Sequence, residues 1–261
     1  MTEIDILGGA FRDLIFYGDI HSTDFLEMPG GTGYNVFAGL RALHVEVYFH
    51  NAVGKDWPFE KLKTVGSKKS GVFISRNETK VLAVYRGANL WVKEEPLQSR
   101  VLFSTLECGG DTFEKYAENA KKTHATVILD PSPIFEWKSS YLELCDVLLP
   151  NHKELQYILR REKNIPPHLE IFTKLGQKGG MYLKGKKKYV LSVSKGGSFP
   201  LGCGDAFDVA ILYALLKKLD AYQALKIAIE AGRGASFIRG SSTAVVKAAK
   251  ALEKTSEHDM N

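Results

Sequence analysis

The sequence predicts an α/β fold in which a parallel sheet has helices on both faces. Short apolar runs of strand length alternate with longer helical patterns, most regularly from residue 101 onward. Glycine-rich segments stand directly before two of the helical patterns. With 261 residues, of which 44% are hydrophobic, the chain is long enough to bury a full core. Repeated β-α units of this kind form parallel sheets whose two faces are covered by helices.

The N-terminal part of the chain predicts a second, smaller sheet beside the main one. The predicted elements are strands at 4–7, 14–17 and 45–49, a helix after the glycine-rich segment 28–35, and strands at 72–75, 81–85 and 90–92. The last three strands are separated by turns, and with strand 14–17 they are expected to form a small sheet. Such a sheet would close over a substrate as a lid and exclude water. The alternative is an edge extension of the main sheet.

The remainder of the chain continues the alternation and ends in helices. The predicted elements are strands at 101–106, 126–130, 147–149 and 169–173, a hairpin at 181–193, helices at 112–122, 141–145, 155–159, 205–218, 221–238 and 243–252, and a frayed tail at 256–261. Asp130, Asn151, Lys174 and Gly176 directly follow predicted strands. Because parallel sheets bind ligands at the carboxyl ends of their strands, these residues are candidate site residues.

Composition and charge predict a cytoplasmic protein that binds neither nucleic acid nor a membrane. The net charge is +5, and the basic cluster at 184–188 is interpreted as a solvated hairpin tip. The sequence lacks a stripe of basic residues with interleaved aromatics, as a nucleic-acid surface would require. The 3 cysteines lie far apart, which argues against disulfides and a zinc site. No apolar run has the length of a membrane span, and the acidic start lacks a signal peptide's basic region.

The segment Gly202 to Asp205 is the most informative part of the sequence. It opens an apolar helical run that continues to Leu216. Glycines at a helix N-terminus leave the backbone N–H groups open to a ligand, and the helix dipole favours an anion there. Asp205 beside them is placed to accept the proton of a hydroxyl that attacks a phosphoryl group. The alternative is a core helix in which Asp205 only satisfies backbone donors.

A second glycine-rich segment, MPGGTGYN at 28–35, also precedes a helix. It is interpreted as a close approach of the backbone to a small polar ligand, with a flexible turn as the alternative. Asp13 lies between two strand patterns, near strand ends where ligands bind. A dinucleotide-binding enzyme would carry a G-x-G-x-x-G turn and a helix after the first strand. Here another strand pattern follows Gly8 and Gly9, so a nicotinamide dehydrogenase is disfavoured.

Several motifs in the same order resemble the PfkB (ribokinase-like) family of carbohydrate kinases. The matching segments are GGTGYN at 30–35, VGKD at 53–56, the Gly87–Ala88–Asn89 turn, Asp130–Pro131, N-x-x-E at Asn151 and Glu154, KLGxxG from Lys174 to Gly179, and GCGDAF at 202–207. The likeness spans nearly the whole chain. It implies a single ribokinase-like domain over 1–261, with a Rossmann-type parallel sheet, helices on both faces, and lid strands from about 10–30 and 72–95.

The resemblance also implies transfer of the ATP γ-phosphoryl group to a hydroxyl of a sugar or sugar-like molecule. By position it implies Asp205 as general base, Gly202, Cys203 and Gly204 as the anion hole, Asp13, Gly30, Gly31 and Asn35 as acceptor-binding residues, Asn151, Lys174, Gly176 and Gly179 as nucleotide-binding residues, and Glu154 as a magnesium ligand through water. Magnesium would neutralise the phosphate charge. The lid sheet of such a protein often serves as a dimer clasp, so a homodimer through it is an open expectation.

The sequence departs from the family pattern at two places that matter for function. Phe199, Pro200 and Leu201 stand where the family carries acidic and hydroxyl residues, which leaves the presence of a monovalent-cation site open. Lys174 stands where threonine is usual, and Thr32 where ribokinases carry lysine, so ribose itself is not favoured. The acceptor is therefore left among sugars, sugar acids, polyols and nucleosides. A nucleoside kinase of the same fold, or a ligand-binding or regulatory member without turnover, remains the alternative.

Overall fold

The computed structural model describes residues 2–258, with side chains as far as residue 253. In chain order the elements are β1 (Ile4–Leu7), β2 (Phe11–Tyr17), β3 (Asp24–Gly30), α1 (Thr32–Ala42), β4 (Val47–His50), β5 (Gly71–Arg76), β6 (Lys80–Tyr85), β7 (Val101–Thr105), α2 (Gly110–Lys122), β8 (Thr126–Asp130), α3 (Tyr141–Leu144), β9 (Val147–Leu148), α4 (His152–Arg161), β10 (Glu170–Lys174), β11 (Gly180–Lys184), β12 (Lys187–Leu191), α5 (Cys203–Leu216), α6 (Ala221–Ala235) and α7 (Ser241–His258). These elements confirm the predicted α/β class.

The main sheet has 8 strands in the order β12-β11-β10-β9-β8-β7-β1-β4. Its pairs are parallel from β10 to β4, and the predicted hairpin β11–β12 adds an antiparallel edge. Residues of β8 alternate between two cores: Ile128 packs with the helices α1, α5, α6 and α7, while Val127 and Leu129 pack with α2, α3 and α4. Helices therefore cover both faces, as the sequence predicts.

The second sheet has 4 strands in the order β3-β2-β5-β6. Strands β2 and β5 pair in parallel, and β3 and β6 add to them antiparallel. Strand β3 lies within the lid region of about 10–30 that the family resemblance implies, but the residue pattern does not predict it, because Glu27, Pro29 and Gly30 give its segment the composition of a turn. The strand predicted at 90–92 is wrong, because the chain forms a short 3₁₀ helix over Gly87–Trp91 there.

The glycine-rich segment at 28–35 does not form the flexible turn that was the alternative interpretation of its sequence. Gly30 ends β3, and α1 begins at Thr32. A Cβ atom on Gly33 would lie 2.5 Å from the backbone of Gly8, so a glycine is needed for α1 to pack against the turn after β1. The segment therefore joins the two sheets at the carboxyl end of β1.

The C-terminal helices are close to their predicted positions, and α7 is longer than expected. It extends to His258, so residues 256–258 of the predicted tail are helical, while 259–261 lie outside the described residues. Among the helices of the described part, none combines the length and apolar character that a membrane crossing requires.

The two glycines of α6 predict opposite responses to alanine. A Cβ atom on Gly234 would meet nothing within 4 Å, whereas one on Gly232 would lie 3.1 Å from the carbonyl oxygen of Cys203. We expect Gly234→Ala to raise the free energy of unfolding by about 0.5–1 kcal/mol, because alanine loses less backbone entropy in a helix. Urea denaturation of both variants measures this. An equal gain for Gly232→Ala would contradict the close approach at that residue.

Candidate active site

The N-terminus of α5 is uncapped and accessible to a ligand. Gly202 precedes it with a left-handed backbone (φ 80°), and no described side chain caps it. The first intrahelical bond runs from the amide of Ala206 to the carbonyl of Gly202. The amides of Gly204 and Asp205 precede that bond, so they point out of the helix end, where the dipole favours an anion.

Two cavities flank this helix end. The first, of about 400 Å³, includes Lys174, Gly176, Gly179, Cys203 and Gly204 in its lining, and is called the Lys174 cavity below. The second, of about 420 Å³, includes Asp13, Gly31, Asn35, Gly202 and Asp205, and is called the Asp13 cavity. Pro200 lines both. The structure thus brings together most of the sequence-predicted site residues and places the end of α5 between two binding spaces.

Asp205 is the carboxyl group at the junction of the two cavities. Its Oδ2 accepts a hydrogen bond of 2.6 Å from Nδ2 of Asn35, which α1 presents from its first turn. Burial raises the pKa of Asp205, while the Asn35 bond and the nearby Lys174 ammonium act in the opposite direction. A carboxylate with a raised pKa and a fixed orientation is suited to accept a proton.

Asp13 forms the buried floor of the Asp13 cavity. Ser241 Oγ donates a hydrogen bond to its Oδ2, while its Oδ1 has no partner. The amide oxygen Oδ1 of Asn35 is likewise buried without a partner. A Cβ atom on Gly30 would lie 1.9 Å from Oδ2 of Asp13, so Gly30 makes room for this carboxyl group without lining the cavity itself. The floor therefore presents two unpaired acceptors, which a ligand with hydroxyl groups would satisfy.

The buried carboxyl of Asp13 predicts a pH-dependent stability. Burial raises its pKa from 3.8 to about 8, and the charges of Asp205 and Glu107 add to the rise. Between these two values the folded state holds a proton that the unfolded chain has lost, so stability falls as pH rises. Asp13→Asn removes this titration. We therefore expect its free energy of unfolding, relative to that of the wild type, to rise by about 1 kcal/mol or more as the pH increases from 4 to 8. Thermal unfolding of both proteins across that range measures it, and a constant difference would contradict the raised pKa.

Glu107 organises the entrance to the same cavity and was missed by the sequence analysis. Its Oε2 accepts from the amides of Gly9 (2.9 Å) and Gly33 (3.0 Å), and its Oε1 accepts from the amide of Thr32 (2.9 Å). Burial raises its pKa to about 7, and these amide donors oppose the rise. The sequence signal that could have identified Glu107 as a site residue is its position, because it is an acidic residue just after the carboxyl end of β7.

Beyond its polar floor, much of the lining of the Asp13 cavity is apolar. The apolar residues are Phe11, Phe73, Val84, Pro133, Phe135, Pro200 and Leu201. Arg86 is the cationic side chain of the lining, and three of its five N–H donors are in use: Nε and Nη2 donate to the carbonyls of Glu107 and Leu106, each at 2.9 Å, and Nη1 pairs with Glu136. Phe135 is 70% exposed. The cavity lining thus combines aromatic surface with a cation whose charge is paired with Glu136.

Lys174 lies at the edge of the other cavity within an ion cluster. Its Nζ donates to Oδ2 of Asp130 (2.7 Å) and to Oδ2 of Asp208 (2.8 Å). Burial alone would lower the pKa of Lys174, but the two carboxylates raise it above its usual value, so the amine is charged. The sequence analysis missed Asp208. Its signal was a charged residue inside the apolar run of α5, one turn after Asp205.

Asn151 and Glu154 do not line either cavity. They form a capping box on α4, in which Asn151 Oδ1 accepts from the amides of Lys153 and Glu154, and Oε2 of Glu154 accepts from the amide of Asn151 at 2.7 Å. Asn151 also bridges to Lys174 through the backbone. Burial raises the pKa of Glu154 to about 7, with a further rise from Asp130. These two residues therefore lie next to Lys174 but outside the lining of the Lys174 cavity.

Cys203 is held in the first turn of α5 with its sulfur turned back into the chain. Its Sγ donates to the carbonyl of Phe199 at 3.3 Å, and burial raises its pKa to about 12. A thiol with so high a pKa is a poor nucleophile at neutral pH. Its backbone amide donates to the carbonyl of Pro200 at 3.4 Å, so the amides free of intrahelical bonds at this end are those of Gly204 and Asp205.

Comparison with known proteins finds one matching family and several similar proteins. The family described as pfkB family carbohydrate kinase matches residues 1–246. A curated deoxyribokinase of Salmonella typhi is 22% identical over 275 aligned positions, covering 87% of this chain and 90% of that protein. The structure of a Cryptococcus neoformans ribokinase in complex with ADP superposes with a TM-score of 0.82 at 18% identity, covering 97% of this chain and 100% of the other. A Burkholderia thailandensis nucleoside kinase in complex with inosine gives 0.82 at 16%, covering 97% and 96%.

Proposed function

Since the chain belongs to the pfkB family of carbohydrate kinases, we propose that it transfers the γ-phosphoryl group of ATP directly to a hydroxyl of a neutral, polyhydroxylated small molecule. The observation that carries this proposal is the open N-terminus of α5, which lies with Asp205 between two cavities. One cavity would hold the nucleotide and the other the acceptor. The transferred group would then pass over the amides that follow Gly202, where developing negative charge is stabilised.

Asp205 acts as the general base in this scheme. The acceptor hydroxyl loses its proton to the carboxylate as the oxygen attacks the phosphoryl group. The hydrogen bond from Asn35 fixes the carboxylate, and Asp205 lines the cavity that would hold the acceptor. Binding of the acceptor displaces water from the junction, which strengthens these interactions.

The acceptor is held by the unpaired oxygens of Asp13 and Asn35. Both are buried oxygens without partners, so they suit the hydroxyl groups of a ligand, which donate and accept hydrogen bonds. A sugar acid would need a cation for its carboxylate, and Arg86, the cation in this lining, is engaged with three acceptors. The aromatic surface of Phe73 and Phe135 fits a flat group attached to the hydroxyl-bearing part. A nucleoside acceptor therefore stands as the second candidate, beside a free sugar or polyol.

This function requires ATP as the co-substrate and magnesium as the cofactor. The part of the chain that the structure describes has no cluster of three or more His, Cys, Asp or Glu side chains that could hold a metal ion. Magnesium bound to nucleotide phosphates keeps several waters and takes only one or two protein carboxylates. The cap on α4 uses Oε2 of Glu154 and leaves Oε1 outside it, so Glu154 fits a ligand through water. The bound ion would neutralise phosphate charge.

The small sheet acts as a lid over the acceptor. Four of its residues, Phe11, Asp13, Phe73 and Val84, line the Asp13 cavity, so movement of this sheet would open and close the acceptor site. Its edge strand β6 is exposed along its whole length and carries Val81, Leu82 and Tyr85. A second copy of the chain pairing along this edge would make a homodimer.

A coupled ADP-release assay with Mg-ATP tests the proposed function. The acceptor panel contains free sugars, sugar acids, polyols and nucleosides, and the control enzyme is Asp205→Asn. Acceptor-dependent release that the variant lacks supports the kinase and identifies the acceptor class. Bound ATP without turnover on any acceptor would favour the ligand-binding or regulatory alternative.

A further inference from the structure

Lys174 is the member of its ion cluster that faces the Lys174 cavity. It belongs to the lining, whereas Asp130 and Asp208 do not. The side chain of Asp208 is fully buried and that of Asp130 is 5% exposed, compared with 12% for Lys174. A ligand that enters the cavity therefore meets the ammonium group first, with both carboxylates behind it.

The ammonium group also lies beside the end of α5. A Cβ atom on Gly204 would be 3.9 Å from Nζ of Lys174 and 3.5 Å from its Cδ. The absence of a side chain at residue 204 thus leaves Nζ adjacent to the amides that precede the first turn of the helix. A fixed cation and the open end of a helix therefore line the same cavity, a combination found in sites that bind a phosphate group.

The hydrogen bonds of Lys174 leave it capacity for a ligand. An ammonium group has three N–H donors, and within the described residues two of them are directed at Asp130 and Asp208. Burial raises the pKa of Asp208 well above its usual range, which favours its neutral form. A protonated Asp208 would leave one carboxylate opposite one ammonium, which removes the excess negative charge that would repel a phosphate.

We propose that Lys174 is a built-in cation that binds the terminal phosphate of the nucleotide, and that Asp130 and Asp208 are positioning residues that aim its third N–H into the cavity. This inference rests on the proposed function, since it takes the Lys174 cavity as the nucleotide site. It assigns part of the phosphate charge to the protein itself, so binding of the nucleotide does not depend on the metal alone.

The test compares nucleotide affinities in the presence of EDTA, measured by calorimetry. Removal of Lys174 alone would leave two buried carboxylates facing each other, so the variant is the double substitution Lys174→Thr with Asp208→Asn, compared with Asp208→Asn alone. A matched control is Lys184→Thr with Glu170→Gln, which removes one ion pair at the surface (2.8 Å). Thermal unfolding verifies that each variant is folded.

We expect the double variant to bind ADP about ten- to hundredfold more weakly than Asp208→Asn, while its affinity for AMP changes less than about twofold. The surface control should bind both nucleotides like the wild type. An unchanged ADP affinity, or an equal loss for ADP and AMP, overturns the phosphate contact. Because no turnover is measured, this result is separate from the acceptor assay: a wild type that binds ADP and phosphorylates no acceptor would fail the proposed function and leave the Lys174 contact standing.

Discussion

Asp205→Asn is expected to lower kcat by roughly a thousandfold, the loss typical of a missing general base. Asparagine has nearly the same shape and still offers an oxygen to Nδ2 of Asn35, which donates to this side chain at 2.6 Å. The variant should therefore fold normally and bind ATP like the wild type, but it has no carboxylate to take the proton of the acceptor. Steady-state kinetics with the best acceptor, together with calorimetric ATP binding, measures both effects.

The neighbouring carboxyl group of Asp208 provides the comparison for this prediction. It lies one turn further along α5, is fully buried, and faces Lys174. Asp208→Asn removes a carboxyl of the same helix but keeps an oxygen opposite Nζ of Lys174, so its effect should fall on nucleotide affinity, and a loss in kcat of less than about tenfold at saturating ATP is expected. Near-normal turnover of Asp205→Asn would contradict the base assignment, and so would equal losses in the two variants.

Gly30→Ala is expected to raise KM for the acceptor by about tenfold, which corresponds to the loss of a hydrogen bond between neutral groups. The added Cβ atom would lie 1.9 Å from Oδ2 of Asp13, so the carboxyl group must leave its position and its hydrogen bond with Ser241. The Lys174 cavity lies on the other side of the α5 end, so ATP binding should be retained. Kinetics with the acceptor varied, and then with ATP varied, separates the two effects.

Gly234→Ala is the matched control, because it adds the same methyl group where nothing lies within 4 Å. It should leave both KM values unchanged. If Gly30→Ala raised KM for ATP as much as KM for the acceptor, the placement of Asp13 on the acceptor side would be wrong.

The alternation of strands and helices was predictable because apolar periodicity is local. The sequence pattern predicts strand β8 directly. It also predicts the start of α5 to within two residues. Strand β3 was not predictable, because its pairing with β2 depends on a neighbour rather than on its own apolar residues. The start of α1 at Thr32 was not predictable for the same reason. Gly33 in its first turn is needed because the helix packs against the backbone of Gly8, which is distant in the sequence.

The site was predictable where a motif carries the chemistry. Asp205 and Asn35 are 170 positions apart, and only the resemblance of their two glycine motifs placed both in one site. Glu107 and Asp208 belong to no such motif, and their roles come from donors supplied by distant segments. A single buried carboxylate therefore gives no local signal of what it binds.

The contact between Ser241 and Asp13 joins residues that are 228 positions apart in the chain. Asp13 comes from one of the first strands, and Ser241 opens the last helix. During synthesis the floor of the Asp13 cavity therefore stays incomplete until α7 has left the ribosome and docked. A nascent chain that already contains Asp205 would still lack this contact, so the cavity that we propose for the acceptor would be completed only after α5 has been synthesised.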